Sequence, residues 1–302
     1  MPQIRQFTVY IVKWSMLVDM QNSLVRVALL LCICVPLCFG QTLKVDVNLV
    51  NIFATVKDSQ GNFVSNLAQN DFRVYEDGQL QDIQIFEKQD KVDSSVGLLM
   101  DTSGSMVDIL PFMKRGIRDF TRTLPKNNDF FVMSFGATAQ LVHTSSQPQK
   151  HLEDSMVPLR AWGTSVLFDA LLYGMERAEK SSRPRKALIV FTDGNDNGSR
   201  VSHGRITEEL QTSGVLLYFV AIGSPVLVDS HTLEPLSDLS GGRTLYVSKQ
   251  EAVSPVLDQI KMELSQQYYL GYYAPRREGF HQLRIESPGH DVKIRAKNGY
   301  IG

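Results

Sequence analysis

The sequence predicts an α/β protein: a doubly wound domain with a mostly parallel sheet, flanked by an antiparallel β module built from N- and C-terminal segments. Three observations carry this expectation. Near-continuous apolar runs at 96–100, 130–134, 187–191 and 215–222 have the composition of strands buried on both faces. Segments of helical period alternate with those runs, as strands and crossover helices do in a parallel sheet. On either side of this region the pattern changes to short alternating strands punctuated by Asp/Gly turns.

Taken in order, the first signal is an apolar run at 27–40 that follows Arg26 and precedes Gln41. Its length is that of a signal-peptide h-region and is short for a bilayer span. Residues 1–40 are therefore expected to be a signal peptide, with Met20 as a possible true start and an uncleaved anchor as the alternative. All three cysteines, Cys32, Cys34 and Cys38, fall inside this run. The expected mature chain has no thiol or disulfide, so its stability must come from its core and from any bound metal. A secreted, periplasmic or cell-envelope location follows, with no membrane span in the mature chain.

Residues 41–92 are expected to form the N-terminal β module. Val45, Val47 and Leu49 alternate, as do Ile83 and Ile85, and turn signals stand at 58–61 and 76–78. About fifty residues is small for an independent sandwich, so the missing strands are sought at the other end. There, 268–273, 281–286 and 292–296 alternate again and are broken by Pro275, Pro288 and Gly289. Residues 266–302 are accordingly predicted to pair with the N-terminal module. The central domain occupies 93–265, with helical periods at Ile109, Met113, Ile117 and Phe120, at Leu167, Leu171, Met175 and Ala178, and at Val253, Val256, Ile260 and Leu264.

In an open α/β sheet, ligands bind outside the carboxyl ends of the strands. Three polar clusters fall at such places: 101–105 after the first apolar run, 162–164 before a helix, and 192–194 after the third run. Each has an ordinary reading: Asp101 or Thr164 as a helix cap, Ser165 likewise, and 192–194 as a turn. Together, Asp101, Ser103, Ser105, Thr164 and Asp193 form an all-oxygen donor set, suited to Mg²⁺ foremost, or to Mn²⁺ or Ca²⁺, with neither Cys nor His for zinc.

The spacing Asp-x-Ser-x-Ser, then Gly-Thr, then a strand-terminal Asp-Gly resembles the metal-ion-dependent adhesion site of von Willebrand factor type A domains. The flanks, 74–78 and 267–275, are similar to secreted bacterial proteins of the acidobacterial VWFA-related type. The resemblance implies that Ser103, Ser105 and Thr164 contact the cation. Asp101 and Asp193 would act directly or through water, and one coordination position would stay open. A dication held mainly by neutral hydroxyls keeps positive charge, so a partner protein's Asp or Glu could complete it. Trp162 is the candidate partner anchor, with a packed loop tryptophan as the alternative. Asp108 is expected to be a solvated helix carboxylate.

A formal net charge of -1, from 31 Lys+Arg and 32 Asp+Glu, argues against nucleic acid as a partner. An enzyme is the rival class, a metal-dependent phosphatase or other hydrolase. It lacks support, because the position two residues after Asp101 is Ser103 rather than a second Asp, and neither a P-loop nor a Gly-x-Ser-x-Gly elbow occurs. A third possibility is a structural envelope-assembly protein whose cation only fixes its loops. The six histidines show no paired ligand spacing and read as surface residues.

Overall fold

The computed structural model describes residues 47–88, 92–224, 226–249 and 252–302; the expected signal segment lies outside them. The core of the molecule is a six-stranded sheet. It is made of β5 (Ser94–Asp101), β6 (Asp129–Phe135), β7 (Ala139–Thr144), β8 (Arg185–Thr192), β9 (Val215–Ile222) and β10 (Arg243–Val247), in the order β10-β9-β8-β5-β6-β7. All neighbours are parallel except β7, which runs antiparallel to β6 at the edge. The apolar runs become strands because both of their faces are covered. Along β8, Ala187, Ile189 and Phe191 enter one core while Leu188 and Val190 enter the other. Helices α1 (Leu110–Arg122), α2 (Gln149–Met156) and α6 (Val253–Ser265) supply the first core. Helices α3 (Leu167–Glu179), α4 (His203–Thr212) and α5 (Ser230–Ser240) supply the second. Close approach is needed at the start of β10. A Cβ on Gly242 would stand 1.9 Å from the Leu217 carbonyl oxygen, so only glycine fits there.

The flanking β module is a sandwich of two four-stranded sheets. The strands are β1 (Val47–Asp58), β2 (Arg73–Glu76), β3 (Gln79–Gln81), β4 (Ile85–Lys88), β11 (Tyr268–Pro275), β12 (Phe280–Glu286), β13 (Val292–Arg295) and β14 (Gly299–Ile301). One sheet has the order β13-β1-β11-β4 and the other β14-β12-β2-β3. Each sheet mixes strands from both ends of the sequence: β1 pairs antiparallel with β11 and β13, and β12 with β2. The β2–β3 hairpin turns at Asp77 and Gly78, both at positive φ, as an Asp-Gly turn requires. Val50, Ile52, Ala54 and Val56 of β1 face the sandwich core. Phe53 points to the opposite side, where it stacks on Tyr269 and lies under the buried Arg185 at the start of β8.

A buried ionic cluster joins the sandwich to the α/β domain. Glu263 of α6 is 0% exposed. It pairs with Arg295 of β13 and lies 2.8 Å from Arg243 Nε of β10, an ion pair off the hydrogen-bonding direction. Arg295 also donates to the carbonyls of Gly241 and Gly242. Beside it, Gln267 Nε2 bridges Tyr218 of β9 and Thr55 of β1.

Candidate metal-binding site

The site is built at the carboxyl end of β5. Asp101, its last residue, is fully buried. Its Oδ1 accepts the Ser103 N–H at 2.8 Å, and its Oδ2 accepts the Thr192 hydroxyl at 2.8 Å and the Ser165 hydroxyl at 3.2 Å. One carboxylate thus gathers groups from the turn after β5, the end of β8 and the connection into α3. A short 3₁₀ turn, Gly104–Met106, sets the Ser103 and Ser105 hydroxyl oxygens 3.2 Å apart. Ser103 is buried beneath and Ser105 is exposed above, so the pair opens to solvent on one side.

Two backbone hydrogen bonds staple the Thr164 loop to this turn: the Trp162 N–H donates to the Thr102 carbonyl at 2.9 Å, and the Gly104 N–H to Gly163 at 3.2 Å. Thr164 is exposed on that loop. Its far side is held by the 195–198 loop, where Asn197 Oδ1 accepts the Ser165 N–H and a Cβ on Gly198 would stand 3.4 Å from Thr164 Oγ1. Asp193, 8% exposed, follows β8 and accepts the Asn195 N–H on Oδ1. Its own carbonyl receives the Asp229 N–H from the β9–α5 loop. Asp101, Ser103 and Ser105 therefore share one hydrogen-bonded network, Thr164 stands on the adjoining loop, and Asp193 reaches Asp101 through its charge.

Burial pushes the Asp101 carboxyl above the usual carboxylate range. Its hydrogen bonds from Ser103 and Thr192 oppose this, and repulsion from Asp193 adds to it. Two carboxylates in mutual repulsion, beside neutral hydroxyl oxygens that open to solvent, form an arrangement a hard dication would relieve. The residues present fit such an ion.

Three supporting roles escaped the sequence reading. Ser165 and Thr192 hold Asp101, and Asn197 holds the Thr164 loop. Each neighbours a residue the sequence singled out or lies in the polar loop after Asp193, so adjacency was the available signal. Neither Thr164 nor Ser165 caps α3: the N-cap is Val166, with no side-chain cap bond, because the Ser165 hydroxyl is committed to Asp101. Trp162 is 69% exposed, which removes the packed-loop reading. Asp108 is exposed, as expected, but it stands in the turn before α1 rather than on the helix.

The reading of all six histidines as surface residues is corrected. His143 is buried against the Phe130 ring with its Nδ1 3.3 Å from His151 Nδ1, because β7 and α2 fold the two together. His281 is also buried. With Glu76 and Asp77 it forms a second group of ligand-type atoms, all within 4.8 Å. Those atoms are already committed. Glu76 is paired with Arg277 and accepts the Tyr272 and Tyr300 hydroxyls, while His281 uses Nδ1 on Asp77 at 2.8 Å and Nε2 on the Arg277 carbonyl at 3.2 Å. Both ring nitrogens face acceptors, so the imidazolium is the fitting form, and the Asp77 hydrogen bond raises the His281 pKa. The stabilisation from this raised pKa is complete below pH 6.5 and is lost as pH rises through the folded-state value. An NMR titration is expected to show a His281 midpoint above the free-histidine value in the wild type and a lower one in Asp77→Asn; identical midpoints would remove Asp77 as the cause.

An α/β sheet with oxygen-bearing side chains grouped at its central strand end points to a class of domain. The chain belongs to the von Willebrand factor type A domain family, whose model matches residues 95–259. Domains of this family typically mediate protein–protein interaction. Among curated proteins none matches the chain. Among solved structures, the proximal thread matrix protein 1 of the mussel byssus, with a zinc-occupied metal-ion-dependent adhesion motif, is 14% identical with a TM-score of 0.50. That match covers 64% of this chain and 50% of that one. A von Willebrand factor type A protein from Catenulispora acidiphila is 11% identical with a TM-score of 0.48, covering 85% and 74%. The PilB minor pilin from Streptococcus sanguinis is 17% identical with a TM-score of 0.48, covering 60% and 62%. At these identities the likeness is one of fold, and the chain spans about half the length of the mussel protein.

Proposed function

We propose that the protein is a non-enzymatic binding module, secreted or held in the cell envelope, that captures an acidic side chain of a partner protein through a divalent cation, with Mg²⁺ preferred. Ser103, Ser105 and Thr164 would hold the ion, with Asp101 and Asp193 as the compensating carboxylates. The observation that carries this reading is the buried Asp101 carboxylate tied under two serine hydroxyls 3.2 Å apart, Ser103 buried and Ser105 exposed. When bound, the cation supplies a residual positive charge able to accept a carboxylate. The chain's own residues supply the rest. Asp101 fixes the turn through the Ser103 N–H, Ser165 and Thr192 fix Asp101, and the Trp162–Thr102 and Gly104–Gly163 bonds keep the loops in register.

The rim around these loops is apolar as well as polar. Val107 follows the serine turn, Trp162 precedes Thr164, and Val226 and Leu227 lie on the loop whose Asp229 bonds to Asp193; all four are largely exposed. Exposed large side chains grouped round one polar focus form the kind of surface that buries against a partner. A secreted or envelope location rests on the apolar run before Gln41. Among the described residues no helix is long and apolar enough to cross a membrane.

The test is capture from native cell-envelope extract by the full chain. Partner recovery is expected with Mg²⁺ and to fall at least about tenfold with EDTA, with Asp101→Ala, or with Ser103→Ala, while Trp162→Ala weakens it by about 1–3 kcal/mol at constant metal. Recovery indifferent to EDTA and to both site variants would refute the cation-bridged mode.

A further inference from the structure

Strand β7 and helix α2 bring two imidazoles together, nitrogen to nitrogen. His143 Nδ1 and His151 Nδ1 stand 3.3 Å apart, with the ring centroids separated by 5.5 Å. The His143 ring is fixed in place, being 1% exposed and stacked on Phe130. His151 lies in the first turn of α2 and is exposed, so solvent reaches the pair from its side. One helical turn later, Ser155 sets its hydroxyl oxygen 3.3 Å from the same His151 Nδ1.

The hydrogen bonds assign the protons. Gln147 Oε1 accepts the Thr144 N–H at 3.0 Å, so its amide nitrogen, 3.3 Å from His151 Nε2, is a donor to that ring. His151 then carries its own proton on Nδ1 and donates it to His143 Nδ1, which presents a lone pair. Burial and the nearby His151 both push the His143 pKa down, which keeps this ring neutral. The His143 Nε2 is buried with no hydrogen-bond partner among the described residues, so the nitrogen facing His151 is the polar outlet of the ring. Among the described residues no carboxylate joins the group.

Two nitrogens each about 2.05 Å from a tetrahedral ion stand roughly 3.3 Å apart, which is the separation already present. We propose that His143 and His151 form a site for a borderline transition-metal dication of the Zn²⁺ class, held through both Nδ1 atoms, with the Ser155 hydroxyl beside them and water in the remaining positions. The proton balance closes without release. The His151 proton moves from Nδ1 to Nε2, and the exposed Gln147 amide turns its oxygen to accept it, giving up the Thr144 N–H. Imidazole selects Zn²⁺, Ni²⁺ or Cu²⁺ over Mg²⁺ or Ca²⁺. His143 Nε2 has no acceptor to brace it, so the affinity falls well below that of a closed four-ligand zinc site. Nothing in this site depends on the oxygen donors at the end of β5.

The experiment follows the histidine ring NMR signals of the full chain during titration with ZnCl₂ in millimolar Mg²⁺. Expected are saturable, joint shifts of the His143 and His151 signals, with none from Mg²⁺ alone. Zn²⁺ affinity, read from the His143 ring, is expected to be at least about tenfold weaker in His151→Ala. That side chain is exposed, so its removal leaves the core intact. Zinc lodged at the end of β5 is told apart by folded Asp101→Ala, which is expected to keep both histidine shifts. Rings unmoved by Zn²⁺ up to millimolar concentration, equal shifts with Mg²⁺, loss of the ring shifts in folded Asp101→Ala, or an affinity unchanged in His151→Ala would each overturn the proposal.

Discussion

Saturating Mg²⁺ is expected to raise the thermal midpoint of the wild-type protein by roughly 5–10 °C over its value in EDTA, at a concentration about a hundredfold above Kd. An ion bound by Asp101, Ser103, Ser105, Thr164 and Asp193 would add stability only to the folded state, because these residues come from segments far apart in sequence. Asp101→Asn should abolish this shift. The same variant is expected to match or exceed the wild type in EDTA, and the sign follows from linkage. A carboxyl whose pKa is raised by folding binds its proton more tightly in the folded than in the unfolded chain. In cation-free protein its contribution therefore declines as pH rises from 3.8 through the raised value. Asparagine is neutral at every pH, so it removes the charge whose burial and repulsion raise Asp101, and with its oxygen on the Ser103 N–H its amide nitrogen can donate to the Thr192 and Ser165 hydroxyls, which rotate to accept. Scanning calorimetry with and without EDTA decides the matter. An ion-dependent shift retained by Asp101→Asn would move the cation elsewhere, and no shift with Mg²⁺, Mn²⁺ or Ca²⁺ would remove it.

The second large effect concerns the junction of the two modules. Glu263→Ala is expected to cost about 3–5 kcal/mol, because it leaves Arg243 and Arg295 facing each other without their shared carboxylate. Arg295→Met alone should also destabilise. The double variant is expected to fall short of the sum of the two, since each removes the same interaction. Denaturant unfolding of the four proteins completes the cycle. Additive costs, or a Glu263→Ala loss below about 1 kcal/mol, would show that packing rather than the charge cluster joins sandwich and domain.

The fold was legible where one physical signal dominated. The run at 215–222 coincides with β9 because every one of its residues is buried, and a fully apolar strand needs no register to be recognised. The Val253 to Leu264 period marks α6 because its buried stripe follows helical spacing. Edge elements were not seen. β7 carries Gln140 and His143 and turns much of its surface to solvent, and α4 buries only Ile206 and Leu210, so neither shows a strong period. The sharing of strands between the two ends could be inferred from size. Its register, with Val50 opposite Tyr272, depends on contacts about two hundred residues apart in the chain.

The candidate site was legible as a list of oxygen donors in order along the chain. What spacing could not convey is the hierarchy among them. Ser165 and Thr192 carry the same hydroxyl chemistry as Ser105 and Thr164 and differ in where the backbone places them, the first pair bonding to Asp101 and the second exposed on the turn and the adjoining loop.

The placement of the sandwich has a mechanical consequence. Strand β5 ends in Asp101, while Phe53 of the sandwich packs at Arg185, where the neighbouring β8 begins. A partner held at the strand ends and an attachment made through the sandwich would pull on opposite ends of the central parallel strands. Tension applied that way runs along β5 and loads its hydrogen bonds to β6 and β8 together, in shear, instead of opening them one after another. Under such a load the central strands would resist along their own length, the direction in which their hydrogen bonds share it.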